Sequence, residues 1–195
     1  MFNTHKKTPS FVHIVGLLSF SGGNFHHLFT QSQHYRRTYN AILGHLKKQL
    51  EFARHSQEWK AASSLKKNEP QRAEQFQQLK IKFGLTQANA QVYGKQLRNN
   101  RDFKRYTNSA VLQKVAVRAF SAIEKVMYGK AKRVRFKSAS EKMSFEGRQN
   151  STGIRFLCVD SIEKILYGRK YKGESHAGYL VEVNGVYLKP QLDLE

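Results

Sequence analysis

From Phe103 to Ser140 the sequence carries ten Lys or Arg residues and one acid, Glu124, so this stretch is equipped to bind a polyanion. Five of the ten lie between Lys130 and Lys137. In Arg133-Val134-Arg135-Phe136-Lys137 charged and apolar side chains alternate. On a strand, that alternation sends Arg133, Arg135 and Lys137 to one face and Val134 and Phe136 to the other. Cations at two-residue spacing can follow successive phosphates, while the apolar face anchors the strand to a core. A Lys-rich edge strand that discourages aggregation has the same pattern. Binding is favoured because the excess continues into the preceding segment, through Lys114, Arg118 and Lys125. A second run, Phe145 to Phe156, brings Arg148, Asn150 and Arg155 together with two glycines and aromatic ends. It suits either close approach to RNA bases or an ordinary turn between strands.

Chemistry beyond binding lacks its usual carriers. Neither a G-x-x-x-x-G-K-[ST] nor a G-x-G-x-x-G phosphate cradle occurs. The eight histidines show no H-E-x-x-H spacing, and Cys158, the only cysteine, excludes both an intrachain disulfide and a thiolate zinc cluster. Two-metal nucleases need several converging carboxylates; here Asp160 and Glu163 form a lone pair at helical spacing. The expectation is therefore no metal, no cofactor and no catalytic residue in this chain.

The composition agrees with a polyanion partner. The formal charge is +20, from 34 Lys+Arg against 14 Asp+Glu, in 195 residues. Self-repulsion of that size is relieved when a nucleic acid neutralises it. A membrane surface is disfavoured because the cations are interleaved with Tyr and Phe in several segments rather than lining one amphipathic helix. No run approaches the length of a spanning helix, and the apolar run Phe11 to Phe20 reads as a strand rather than a signal peptide. A reducing, cytoplasmic setting is expected.

The elements that must position these residues follow from periodicity. Gly22-Gly23-Asn24 looks like a turn. Tyr35, Tyr39, Ile42, Leu43, Leu46 and Leu50 then mark a long amphipathic helix, whose other face carries Arg36, Arg37, Lys47, Lys48 and Arg54 as either solvated or phosphate-facing charge. Residues 61–70 read as an exposed connection, helical at its start and ending in a helix-breaking Pro70. A second helix begins near Gln71 and stops at Gly84, and a third is capped by Thr86. The strongest helix runs from Asn108 or Ser109 to Tyr128, with Val111, Leu112, Val115, Ala119, Ile123 and Val126 on one stripe and Gly129 at its stop. Beyond it the period changes to that of strands, with a hairpin signal at Asn184-Gly185. The fold class is α+β: an N-terminal strand and turn in 1–33, a helical middle in 34–129, and further strands in 130–195.

Tyr39-Asn40 on a helix, then Ala119 to Lys137 with its R-x-R-F-K ending, then Ser144 to Phe156, resemble the TnpB (OrfB-like) transposon proteins, relatives of type V CRISPR effectors. The resemblance covers roughly Tyr35 to Phe156 and the end of the chain. It implies a helical recognition insertion within an N-terminal β-barrel, of the kind that holds guide RNA, target DNA and their hybrid. Under it, Arg36, Arg37, Arg118, Lys130, Lys132, Arg133, Arg135, Lys137, Arg148, Asn150 and Arg155 become candidate nucleic-acid contacts. In that family a RuvC-like nuclease domain and a zinc ribbon lie downstream, whereas this sequence stops at Glu195. The resemblance therefore implies a polypeptide that retains recognition and lacks catalysis, or one completed by a separate RuvC-containing chain; the remaining reading is a stand-alone basic RNA-binding protein.

Overall fold

The structure, a computed structural model, describes residues 16–17, 22–66, 68–99, 101–141, 144, 146, 154–167, 172–174, 176–183, 186–188 and 190–191. Its spine is α1, Gly22–His55, a helix of 34 residues and so about 50 Å long. Tyr35, Tyr39, Ile42, Leu43, Leu46, Leu50 and Ala53 form its buried stripe, at the three- and four-residue spacings that keep one helix face inward. Against that stripe packs α6, Ser109–Met127, through Val111, Val115, Ala119 and Ile123. Full burial of each Leu, Ile or Val here contributes about 1.5–3 kcal/mol. Off the main stripe, Phe120 and Met127 also pack on this core.

Against both α1 and α6 packs α4, Gln87–Arg98. Gly94 makes the close approach possible: a Cβ there would stand 3.2 Å from Ile42 Cδ1 and 3.8 Å from Ala116 Cβ. Side chains start and stop these helices as the sequence suggests. Thr86 accepts a hydrogen bond from Asn89 N, Asn108 Oδ1 accepts one from Ala110 N, and Gly84 takes φ +69°. Before α4, α2 (Gln57–Ser64) and α3 (Pro70–Lys82) pack together, with Trp59 edge-on to Phe76 at 5.0 Å. Pro70 opens α3 at a position where its missing N–H is no loss.

The short helix α5, Arg101–Tyr106, has no counterpart in the sequence reading. It docks on α1, where the Tyr106 ring stacks on His34 at 4.9 Å and Phe103 meets the same imidazole edge-on.

Among the described residues the strands form two antiparallel sheets. In one, β2 (Ile154–Val159), β3 (Gly178–Val183) and β4 (Val186–Leu188) lie in the order β2-β3-β4. In the other, β1 (Gly16–Leu17) pairs with β5 (Pro190–Gln191), joining the two ends of the sequence. Asn184-Gly185 lies outside the described residues, and the strands on either side of it pair in antiparallel fashion, Val183 with Val186, as the hairpin signal expects. The connection between β2 and β3 contains α7, Ile162–Tyr167, whose buried Ile162 packs so close to Gly178 that a Cβ there would meet its Cδ1 at 2.7 Å.

Two local expectations are corrected. The glycines at 22 and 23 open α1 rather than forming a turn; a helix penalty of about 1 kcal/mol per Gly is outweighed where the first turns pack on the sheet, Leu28 lying against Val183 and Val186. Residues 22–33, grouped by sequence with the N-terminal strand, are therefore the first turns of α1, and they touch the β layer. The second correction is that 133–137 is not a strand.

Candidate nucleic-acid interface

The basic segment after α6 is placed by its neighbours. At the end of α6, Gly129 adopts φ +70°, a left-handed conformation that costs glycine nothing. Gly129 N donates to Val126 O and Ala131 N to Lys125 O, at 3.3 and 3.1 Å, and the chain turns back along the helix it has left. After a bend at Lys132 and Arg133 the segment pairs with no strand among the described residues. Its partner is α1. Asn40 Nδ2 donates to Lys137 O at 2.8 Å, and Asn40 Oδ1 accepts from Lys137 N at 2.9 Å. One side-chain amide thus supplies both bonds that a neighbouring strand would have made. Val134 packs on the helical core, the Phe136 ring passes over Gly44, and Gln33 Nε2 donates to Ala139 O at 3.4 Å. The contacts at 44, 40 and 33 with 136, 137 and 139 show the segment running antiparallel to α1.

A groove of 1100 Å³ lies under this segment. One wall is a face of α6, carrying Val117, Arg118, Ser121, Ala122 and Lys125; the other is residues 131–135; Tyr39 of α1 also lines it. Arg118, Lys125, Lys132, Arg133 and Arg135 line this space, and none of the described residues lining it is an acid. Burial raises the Tyr39 phenol above its ordinary value, with Glu141 adding to the rise and Arg118 opposing it. The hydroxyl stays protonated and able to donate. Arg118 is already paired with Glu146; Lys125, Lys132, Arg133 and Arg135, with the two hydroxyls, are groups that can hold phosphates by charge-assisted hydrogen bonds.

Two carboxylates hold cations at its margins. Glu141 accepts from Ser138 N at 2.9 Å and pairs with Lys137 at 3.3 Å; the Ser138 bond, then Lys137, keep its carboxyl below the ordinary value. Lys137 Nζ lies 5.8 Å from the Tyr39 ring centre. Glu146 pairs with Lys114 at 2.8 Å and Arg118 at 3.0 Å, and these bonds lower its pKa. Arg118 Nη1 also donates to Ser144 O and Oγ at 3.0 and 3.1 Å. Arg118 is thus oriented from outside the groove by a serine and a carboxylate.

Of the residues singled out by sequence, Arg118, Lys132, Arg133 and Arg135 come together at the groove. Lys137 adjoins it, and Lys130 is exposed on the turn leading in. On α1, Arg36 Nε donates to Gln33 Oε1 at 2.9 Å, the glutamine that holds residue 139, whereas Arg37 is exposed. Arg155 is elsewhere: on β2 it faces Glu182 of β3 in register, with Nε 2.7 Å from Oε2, so its charge is met within the sheet. Arg148 and Asn150 lie outside the described residues. Ser121 was not singled out, Tyr39 was read only as part of the helix stripe and the resemblance, and Lys125 was counted in the basic excess but not among the candidate contacts, although it stands two helical turns beyond Arg118 and therefore shares its face. The Glu163 carboxylate accepts from His176 N at 2.8 Å, tying α7 to the segment before β3 rather than joining Asp160.

No family model matches the chain, and neither a curated protein nor a solved structure is found similar to it. Among the described residues no helix is long and apolar enough to cross a membrane.

Proposed function

We propose that this chain binds nucleic acid through the groove between α6 and residues 131–135, as the RNA- and DNA-recognition part of a TnpB-like, RNA-guided system. The observation that carries the proposal is the convergence of Arg118, Lys125, Lys132, Arg133 and Arg135 on one acid-free space. Phosphate neutralisation by such cations supplies sequence-independent affinity, which is what holding a guide RNA or an RNA-DNA hybrid requires. On this reading the helical middle is the recognition insertion and the strands on either side belong to one barrel-like unit; the pairing of β1 with β5 supports such an insertion. Guide RNA and target DNA are the partners.

The test is to isolate the chain from its cells and sequence the RNA bound to it. Enrichment of one RNA species encoded at a transposon end is the expected result. A random mixture of cellular RNA would leave a general RNA-binding protein in place of a guided one.

A further inference from the structure

A second pocket, of 570 Å³, opens on the other side of the α6 C-terminus, between that end and α3. Its chemistry differs from that of the groove. Arg72, Phe76 and Lys80 succeed one another at four-residue spacing along α3 and line it together with Trp59, Met127 and Tyr128. That spacing puts the three on one helix face, with the two cations about 12 Å apart along the axis. The Arg72 guanidinium lies 5.5 Å from the centre of the Phe76 ring. Neither Arg72 nor Lys80 forms an ion pair with a carboxylate of the described residues, and the lining holds no acid.

Tyr128 is the unusual member. Its side chain is 57% exposed although it directly follows a well-packed helix. Lys80 Nζ lies 3.2 Å from Tyr128 Oη and 5.7 Å from the ring centre. The two distances put the ammonium out past the oxygen and not above the ring, and more than half of Tyr128 is open to solvent. An accessible aromatic face between unpaired cations calls for a ligand that is both planar and anionic.

We infer that this pocket takes an unpaired nucleotide of a single strand, its base stacked on Tyr128 and its phosphates held by Lys80 and Arg72. The inference rests on the reading of the groove as a nucleic-acid interface. Only Gly129 and Lys130 separate Tyr128 from Ala131, and Lys125, one turn before Tyr128, lines the groove. A strand leaving the groove at this end therefore meets the pocket next. An acidic peptide would satisfy the cations but would leave the aromatic face without use.

Trp59 is the only tryptophan in the sequence, so its fluorescence reports on the pocket directly. The full chain is titrated with a short oligoadenylate RNA and, separately, with a blunt RNA duplex. The oligoadenylate is expected to change Trp59 emission saturably. Tyr128→Ala should weaken its binding by roughly ten-fold, as loss of one stacked base does, and leave duplex affinity within about two-fold. Lys80→Gln should weaken oligoadenylate binding in the same direction, and Arg133→Ala/Arg135→Ala should weaken duplex binding. Duplex binding by the wild type with no Trp59 response to oligoadenylate, or with no effect of Tyr128→Ala, overturns the pocket and spares the groove. Failure of both RNAs to bind overturns both readings, and a Trp59 response to polyglutamate in place of RNA overturns the choice of ligand.

Discussion

Asn40 and Lys137, 97 positions apart in sequence, are joined by two hydrogen bonds through a single side-chain amide. This clamp fixes the wall of the groove that carries Arg133 and Arg135, because the segment has no strand beside it. Replacing Asn40 with Ala removes both bonds and leaves two backbone groups of Lys137 to find water. The expected cost is about 1–3 kcal/mol, read from urea unfolding, with faster amide exchange at Lys137. Asn40→Asp keeps the acceptor and loses the donor, and should fall between the two.

Gly129 makes the turn that precedes this wall. A Cβ there would meet nothing within 4 Å, so the effect of a substitution isolates the backbone conformation. Gly129→Ala must hold alanine at φ +70° and is expected to cost about 1–2 kcal/mol. Gly129→Asn should cost less, since asparagine tolerates that region. Thermal unfolding of the two variants against the wild type measures the difference.

Glu146 links pH to the groove margin. Its folded-state pKa is lowered by hydrogen bonds from Lys114 and Arg118. A lowered carboxylate contributes stability that is complete above its unfolded value, near the ordinary 4.5, and is lost as pH falls through the lowered one. Glu146→Gln removes that contribution. The gap between the urea midpoints of wild type and variant should therefore be constant near about pH 6 and close in the acid range. A gap that widens on acidification would contradict the pairing.

Much of this arrangement was legible in the sequence because it is local. The stripe from Val111 to Ile123, the Asn108 cap and the Gly129 stop lie within one helix, where periodicity and capping act over a few residues. The segment 133–137 misled for a physical reason: its alternation of charged and apolar residues is that of a strand, but the bonds a strand would have made to Lys137 come from an asparagine on a distant helix. The helix α5 was hidden because six polar and aromatic residues carry no stripe, and it is the ring contacts with His34 that dock it. Arg155 stood out as a cation, but its partner Glu182 is set by sheet register, which one strand alone does not reveal. The groove itself joins α6, α1 and the returning chain. Four of its five cations had been singled out; that they share one space with Lys125 and Tyr39 needed the tertiary structure.

The central claim, that this groove holds a phosphate backbone, is tested most directly by the salt dependence of nucleic-acid binding. The log of the association constant for a guide-length RNA is measured against log salt for the wild type, for Arg133→Ala/Arg135→Ala, and for Arg155→Ala as a control paired within the sheet. The double variant should bind more weakly, with a slope shallower by roughly one unit for each lost phosphate contact, while Arg155→Ala keeps the wild-type slope. An unchanged slope in the double variant, or an equal loss in Arg155→Ala, would contradict the account.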